Sequence, residues 1–196
     1  NKTALQKALG LKEDGRVSIL AMIGRIDQQK GLDITFEVLR RMAGRSWQFV
    51  ILGSGDPMLE NMARTLQADF PDRIRAVIRY DAALSHLLYA GADIFLMPSR
   101  YEPCGLAQMI AMRFGCVPVV HATGGLRDTV HEGSTGFLFQ EAEAGSMLEA
   151  LERALTVYAE PEHWQQFQCN GMKEDFSWPR PASQYAQIYH SLISDS

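Results

Sequence analysis

Apolar residues in this chain gather in short runs, and between the runs they recur at helical spacing. Val17-Ser18-Ile19-Leu20-Ala21-Met22-Ile23 is a nearly unbroken apolar stretch, the pattern of a strand buried on both faces. Leu32, Phe36, Leu39 and Met42 follow, which predicts a helix over 32–42. The alternation continues with strands predicted over 47–52, 74–80, 94–98, 117–121 and 136–139, and helices over 58–68, 82–90, 105–114, 125–130 and 146–159. Gly53-Ser54-Gly55-Asp56-Pro57 and Pro98 punctuate the strands. Helices over 161–175 and 181–194 close the chain without another strand. Strand-then-helix units in this order predict an α/β fold: a Rossmann-like open parallel sheet of six strands with helices on both faces, followed by a helical tail over 161–196.

Such sheets bind ligands in the crevice beyond the carboxyl ends of their strands, so the segments after each strand are the places to search. The first strand runs into Gly24-Arg25-Ile26-Asp27-Gln28-Gln29-Lys30-Gly31. Arg25 offers a planar fork to phosphate oxygens and Lys30 a mobile point charge, a pair suited to a diphosphate. Taken alone, the same loop also reads as a solvated basic turn. The fourth strand runs into Pro98-Ser99-Arg100-Tyr101-Glu102-Pro103-Cys104-Gly105-Leu106. Pro103 holds Glu102 extended. A helix opening at Gly105 and Leu106 would present unpaired N–H groups to an anion. Glu102 is placed to accept hydrogen bonds from sugar hydroxyls, or simply to sit as an acid near a helix start. After the fifth strand, Thr123-Gly124-Gly125 lets backbone approach a ligand, or serves as a turn. Tyr80, expected to end the third strand, offers a flat ring to a nucleobase or to packing. Gly53-Ser54-Gly55 lacks the third glycine of a dinucleotide fingerprint, since Met58 stands there, and reads as a turn.

Composition narrows the classes. With 196 residues, 46% hydrophobic, the chain can bury a core without disulfides or metals. A net charge of −4 lacks the basic footprint of a nucleic-acid binder. No apolar run reaches the roughly 18 residues of a membrane span. Cys104, Cys116 and Cys169 are odd in number and form no CxxC pair, which points to a reducing compartment and away from zinc. Neither a starting Met nor a signal-like stretch is present, so the chain is expected to be part of a longer protein.

Together these segments resemble the C-terminal domain of the bacterial glycogen synthase and plant starch synthase family. The resemblance is carried by Gly24-Arg25-Ile26 with Gln29-Lys30-Gly31, by Leu52 to Pro57, and by Gly91-Ala92-Asp93-Ile94. Pro98 to Leu106, Thr123 to Val130 and Asp175-Phe176-Ser177-Trp178 complete it. It implies a GT-B glycosyltransferase that holds ADP-glucose between two Rossmann-like halves. Such an enzyme transfers glucose with retention to an α-1,4-glucan, without metal or other cofactor. By position, Arg25 and Lys30 would grip the diphosphate, Glu102 would contact the glucosyl ring, and Tyr80 would stack on adenine. Amides around Gly105, Leu106 and Ala107 would take the distal phosphate, with Cys104, Thr123, Gly124 and Gly125 as further substrate-binding residues.

Three positions depart from related patterns. Ile110 stands where many glycosyltransferases carry a second Glu, which the synthase family also lacks; Ala107 replaces a frequent Thr; Arg79 replaces a frequent Gly. The family's other half, with a catalytic histidine and most acceptor contacts, is not in this sequence. The fragment is therefore expected to bind ADP weakly and to transfer glucose poorly, with 161–196 reaching toward that half. The expected partners are a nucleotide sugar, an α-glucan and the missing half, with no nucleic acid and no membrane. The expected location is bacterial cytoplasm, or a plastid for a plant source; the short Val130–Gly136 segment favours the former. A UDP-sugar glycosyltransferase and a non-catalytic nucleotide- or glucan-binding module are the competing readings.

Overall fold

A computed structural model of the chain describes residues 1–194. The apolar runs form β1 (Ser18–Ile23), β2 (Trp47–Gly53), β3 (Ile74–Ile78), β4 (Ile94–Met97), β5 (Val117–His121) and β6 (Phe137–Phe139). All pairings among them are parallel, in the order β3-β2-β1-β4-β5-β6. β1 is central: it pairs with β2 from Ser18↔Trp47 to Ile23↔Leu52, and with β4 at Leu20↔Ile94 and Ala21↔Phe95.

Alternate strand residues feed two cores, as the two-residue period of a strand requires. Leu20, Met22, Phe49, Ile51, Leu96 and Val119 pack with α2 (Leu32–Arg41), α3 (Pro57–Asp69) and α7 (Ala144–Tyr158). Ile19, Ala21, Val50, Phe95, Met97 and Val120 pack with α1 (Lys2–Ala8), α4 (Ala82–Gly91), α5 (Ala107–Arg113) and α6 (Gly124–Thr129). A strand layer covered on both faces accounts for runs that read as continuously apolar.

Three local differences from the sequence expectation have physical causes. α1 was not foreseen; it buries Leu5 and anchors through Lys2, whose Nζ donates to Asp93 Oδ2 at 2.7 Å and to Tyr158 OH at 2.6 Å. Asp93 Oδ2 also accepts the Ile19 N–H at 2.8 Å, so one carboxylate ties α1, α7 and the starts of β1 and β4. Burial pushes that carboxyl above its ordinary value, with Lys2 opposing. Next, β3 stops at Ile78, because its sole neighbour β2 ends at Gly53, the partner of Ile78. Tyr80 therefore lies beyond the strand rather than at its end. Finally, the helix expected from Gly105 begins at Ala107, since Gly105 adopts a left-handed φ of 69°.

Within the closing segment 161–196, α8 (Pro161–Lys173) packs on the domain. Trp164 is buried, and Phe167 stacks on Phe137 of β6 with ring centroids 4.9 Å apart. α9 (Pro179–Ser194) instead leaves Tyr185, Ile188, Tyr189 and Leu192 exposed. Residues 195 and 196 of that predicted tail lie outside the described residues. No helix among the described residues is long and apolar enough to cross a membrane.

Candidate functional site

In this strand order the chain leaves β1 toward β2 on one side, while β4 and β5 extend the other. The crevice between the carboxyl ends of β1 and β4 is thus the topological switch point, where such sheets hold ligands. The loop after β1 and the loop after β4 face each other there, and a polar strap joins them. Arg100 N–H donates to Gln29 O at 2.8 Å, and Gln29 Nε2 donates to Tyr101 O at 2.8 Å. The Arg100 guanidinium donates to Gln28 O at 2.8 Å and, as a fork, to both Asp33 oxygens at 2.9 and 2.6 Å. Arg100 in turn holds the Asp33 carboxyl below its ordinary value.

The strap sets the register that brings Lys30 Nζ onto Glu102 Oε2. Glu102 is only 8% exposed, and Ser99 Oγ also donates to its Oε2 at 3.3 Å. A lysine ammonium has three N–H bonds, so this pairing leaves donors for another anion. Lys30 itself ends a short 3₁₀ turn, Gln28–Lys30, which Asp27 caps by accepting the Lys30 N–H at 3.1 Å. Asp27 also lies 3.4 Å from the Arg25 guanidinium, whose side chain is 73% exposed. Arg25, Lys30, Ser99 and Ala107 border one narrow cleft of about 40 Å³.

That cleft adjoins a wider pocket of about 390 Å³, and Ile23, Gly24 and Arg25 line both. Its far wall carries Arg79, Tyr80, Ser85, Tyr89 and Ile110. Tyr80 is 88% exposed, so its ring has a free face. Arg79 is drawn aside by Asp81, with Nη2 to Oδ2 at 2.8 Å. Asp81 caps α4 through the Leu84 N–H, and that bond, then Arg79, keeps its carboxyl below the ordinary value. A larger concavity of about 520 Å³, bordered by His131, Glu132, Glu149 and Arg153, contains none of these groups.

The loop after β5 closes the third side. Gly125 N–H donates to Glu102 O and Pro103 O, each at 3.1 Å. A Cβ on Gly124 would strike Glu102 O, and one on Gly125 would strike Cys104 O, so side chains are excluded at both positions. Thr123 precedes α6 without a side-chain cap bond, and Cys104 is exposed. Leu106 is also exposed. Among the described residues, no protein acceptor takes the N–H of Gly105, Leu106 or Ala107.

The structure therefore gathers Arg25, Lys30, Glu102 and Ala107 at one crevice, with Gly124 and Gly125 packed beneath the glutamate loop and Tyr80 across the adjoining pocket. Sequence reading assigned no role to Ser99, Asp27, Arg100 or His121. His121 bridges Ser99 O at 2.7 Å and Gln140 O at 3.0 Å through its two ring nitrogens. Its place at the end of β5 was the available signal. Among the described residues, no three His, Cys, Asp or Glu side chains come together as a metal site requires.

An open parallel sheet in this order, with cations and a buried glutamate at its switch point, defines a Rossmann-like domain. Its architecture is that of the C-terminal half of a GT-B glycosyltransferase. The chain belongs to the glycosyl transferases group 1 family, whose model matches residues 1–170. It is 46% identical over 201 residues to a glycogen synthase of Thermosipho melanesiensis, covering 99% of this chain and 42% of that relative. A glycogen synthase of Aromatoleum aromaticum is also 46% identical, with 98% and 41% covered. Among solved structures, the catalytic domain of starch synthase IV from Arabidopsis thaliana, bound to ADP and acarbose, superposes with a TM-score of 0.89 at 37% identity. That match covers 98% of this chain and 42% of the other. The chain thus spans about two-fifths of the length of the curated relatives it matches.

Proposed function

We propose that this chain is the donor-binding half of a glycogen synthase, holding ADP-glucose for retaining transfer of glucose to the end of an α-1,4-glucan. The observation that carries the reading is the convergence of Arg25, Lys30 and Ala107 on one cleft beside Glu102, opening into a pocket that Tyr80 borders. The diphosphate lies along the cleft between the two cations, and adenine fills the wider pocket against Tyr80. Amides of Gly105, Leu106 and Ala107 meet the distal phosphate. Glu102, fixed by Lys30 and Ser99, accepts from glucose hydroxyls, with Cys104, Thr123, Gly124 and Gly125 framing the same loop.

The chemistry follows from charge. As the glucosyl–oxygen bond breaks, the shared electron pair leaves with ADP and positive character grows on the sugar. Arg25 and Lys30 oppose the first change, as preorganised donors do at a developing oxyanion. The acceptor hydroxyl attacks from the same face, and its proton passes to the departing phosphate oxygen. No metal enters this scheme. Acceptor contacts are assigned to the part of the curated relatives that this chain does not cover. The exposed Tyr185, Ile188, Tyr189 and Leu192 of α9 form the apolar face through which the tail meets that remainder. Kinship with bacterial synthases and three unpaired cysteines support a bacterial cytoplasmic setting.

Calorimetric titration of this chain tests the reading. ADP is expected to bind at one site, at least about tenfold more tightly than UDP, a difference of roughly 1.4 kcal/mol. UDP bound as tightly as ADP would overturn the ADP preference, UDP bound more tightly would favour a UDP-sugar enzyme, and no binding of either would remove the proposed site.

A further inference from the structure

Gln108 is the second residue of α5, and none of its surface reaches solvent. Its Nε2 approaches Gly105 O at 3.0 Å, Cys104 O at 3.2 Å and Thr129 Oγ1 at 3.0 Å. Its Oε1 is buried and has no partner among the described residues. A buried polar atom left unpaired is costly, and a methionine here would fill similar space without that cost. The chain keeps a carboxamide of which only the donor end is used, so the donor end carries the role.

That role is to turn two successive carbonyls of the glutamate loop inward. In a trans peptide the N–H points opposite to the preceding C=O, and every peptide described here is trans. Fixing Cys104 O and Gly105 O therefore aims the N–H groups of Gly105 and Leu106 the other way, where no protein acceptor among the described residues takes them. Gly105 is fitted to the same arrangement: its φ of 69° favours glycine, and a Cβ there would meet the Gln108 carboxamide. On the loop's other side the Gly125 N–H takes Glu102 O and Pro103 O. The carbonyls of residues 102–105 are thus all spoken for by the protein.

We infer that Gln108 is a positioning residue: its amide nitrogen orients the Gly105 and Leu106 N–H groups toward the terminal phosphate of a nucleoside diphosphate. The inference rests on the proposed diphosphate site and deepens it. Gln108 touches no ligand; it acts through the backbone it holds.

The test compares ADP with AMP, which lacks the terminal phosphate, by calorimetric titration of this chain. The wild-type chain is expected to prefer ADP by about tenfold or more, as charge-assisted bonds to a phosphate allow. Gln108→Met is expected to bind AMP as before and to lose most of that preference. A lesion that merely loosened the fold would weaken both nucleotides alike. An unchanged ADP-to-AMP ratio in Gln108→Met, or an equal loss for both, overturns the inference. Absence of any preference in the wild-type chain would instead sink the diphosphate site itself. Should Gln108→Met fail to give a cooperative melt, Gln108→Leu, which also removes the amide donor, decides in its place: the preference must fall while AMP binding holds, and an unchanged ratio overturns the inference.

Discussion

Replacing Lys30 with Met in the complete enzyme is expected to lower glucosyl transfer by about 10²–10³-fold, the usual consequence of removing one preorganised donor to a developing anion. Two effects add in the same direction. On the proposed reading the leaving diphosphate loses a cation that the fold holds at the cleft, and Glu102, 8% exposed, loses its charge partner. The second effect gives the variant a diagnostic signature. Glu102→Gln on the Lys30→Met background removes the unpaired carboxylate, so the double variant should lose less than the product of the two single losses. Steady-state kinetics with ADP-glucose and a glucan primer read both quantities. A Lys30→Met enzyme within a few-fold of wild type would show that the pair is structural.

Lys2→Met should be strongly destabilising at the amino ends of β1 and β4, across the sheet from the crevice. Asp93 would keep the Ile19 N–H but lose its ammonium partner in a setting that already penalises its charge. Breaking a fully buried pair from one side costs about 3–5 kcal/mol, an upper bound for this largely buried pair, so Tm falls by up to roughly 6–20 °C for a chain of this size. The pH dependence has a definite sign. Burial raises the Asp93 carboxyl above 3.8 in the folded chain, and Lys2 holds it down; without Lys2 it rises further. The folded variant then binds the proton more tightly than the unfolded chain does. The deficit is therefore full at neutral pH and shrinks as pH falls through the folded value toward 3.8. Melting both proteins between about pH 7 and about pH 4 measures it. A difference in Tm that stays constant over that range would contradict the account.

These two residues mark what the sequence did and did not disclose. The strands were legible because a parallel strand covered on both faces needs an unbroken apolar run, and Ile19 to Ile23 has one. α1 was not, because its anchors are long-range: Lys2 meets Asp93 91 positions away, and Gln6 meets Gln48 42 positions away. Lys30 and Glu102 were recognisable separately as strand-end residues of suitable chemistry. Their direct pairing, 72 positions apart, depends on the Arg100 strap, which has no periodicity to betray it. Tyr80 was expected to end β3 but lies just beyond it, because a strand's end is set by where its neighbour stops. Gln108 was invisible for another reason: within a helix its spacing is that of a core residue, and only the packed loop reveals which half of its amide is used.

A crystal structure of this chain soaked with ADP tests the central claim most directly. The account predicts a diphosphate within hydrogen-bond reach of Arg25, Lys30 and the N–H groups of Gly105 and Leu106, with adenine beside Tyr80. ADP ordered elsewhere on the domain, or a diphosphate out of reach of both cations, would contradict it.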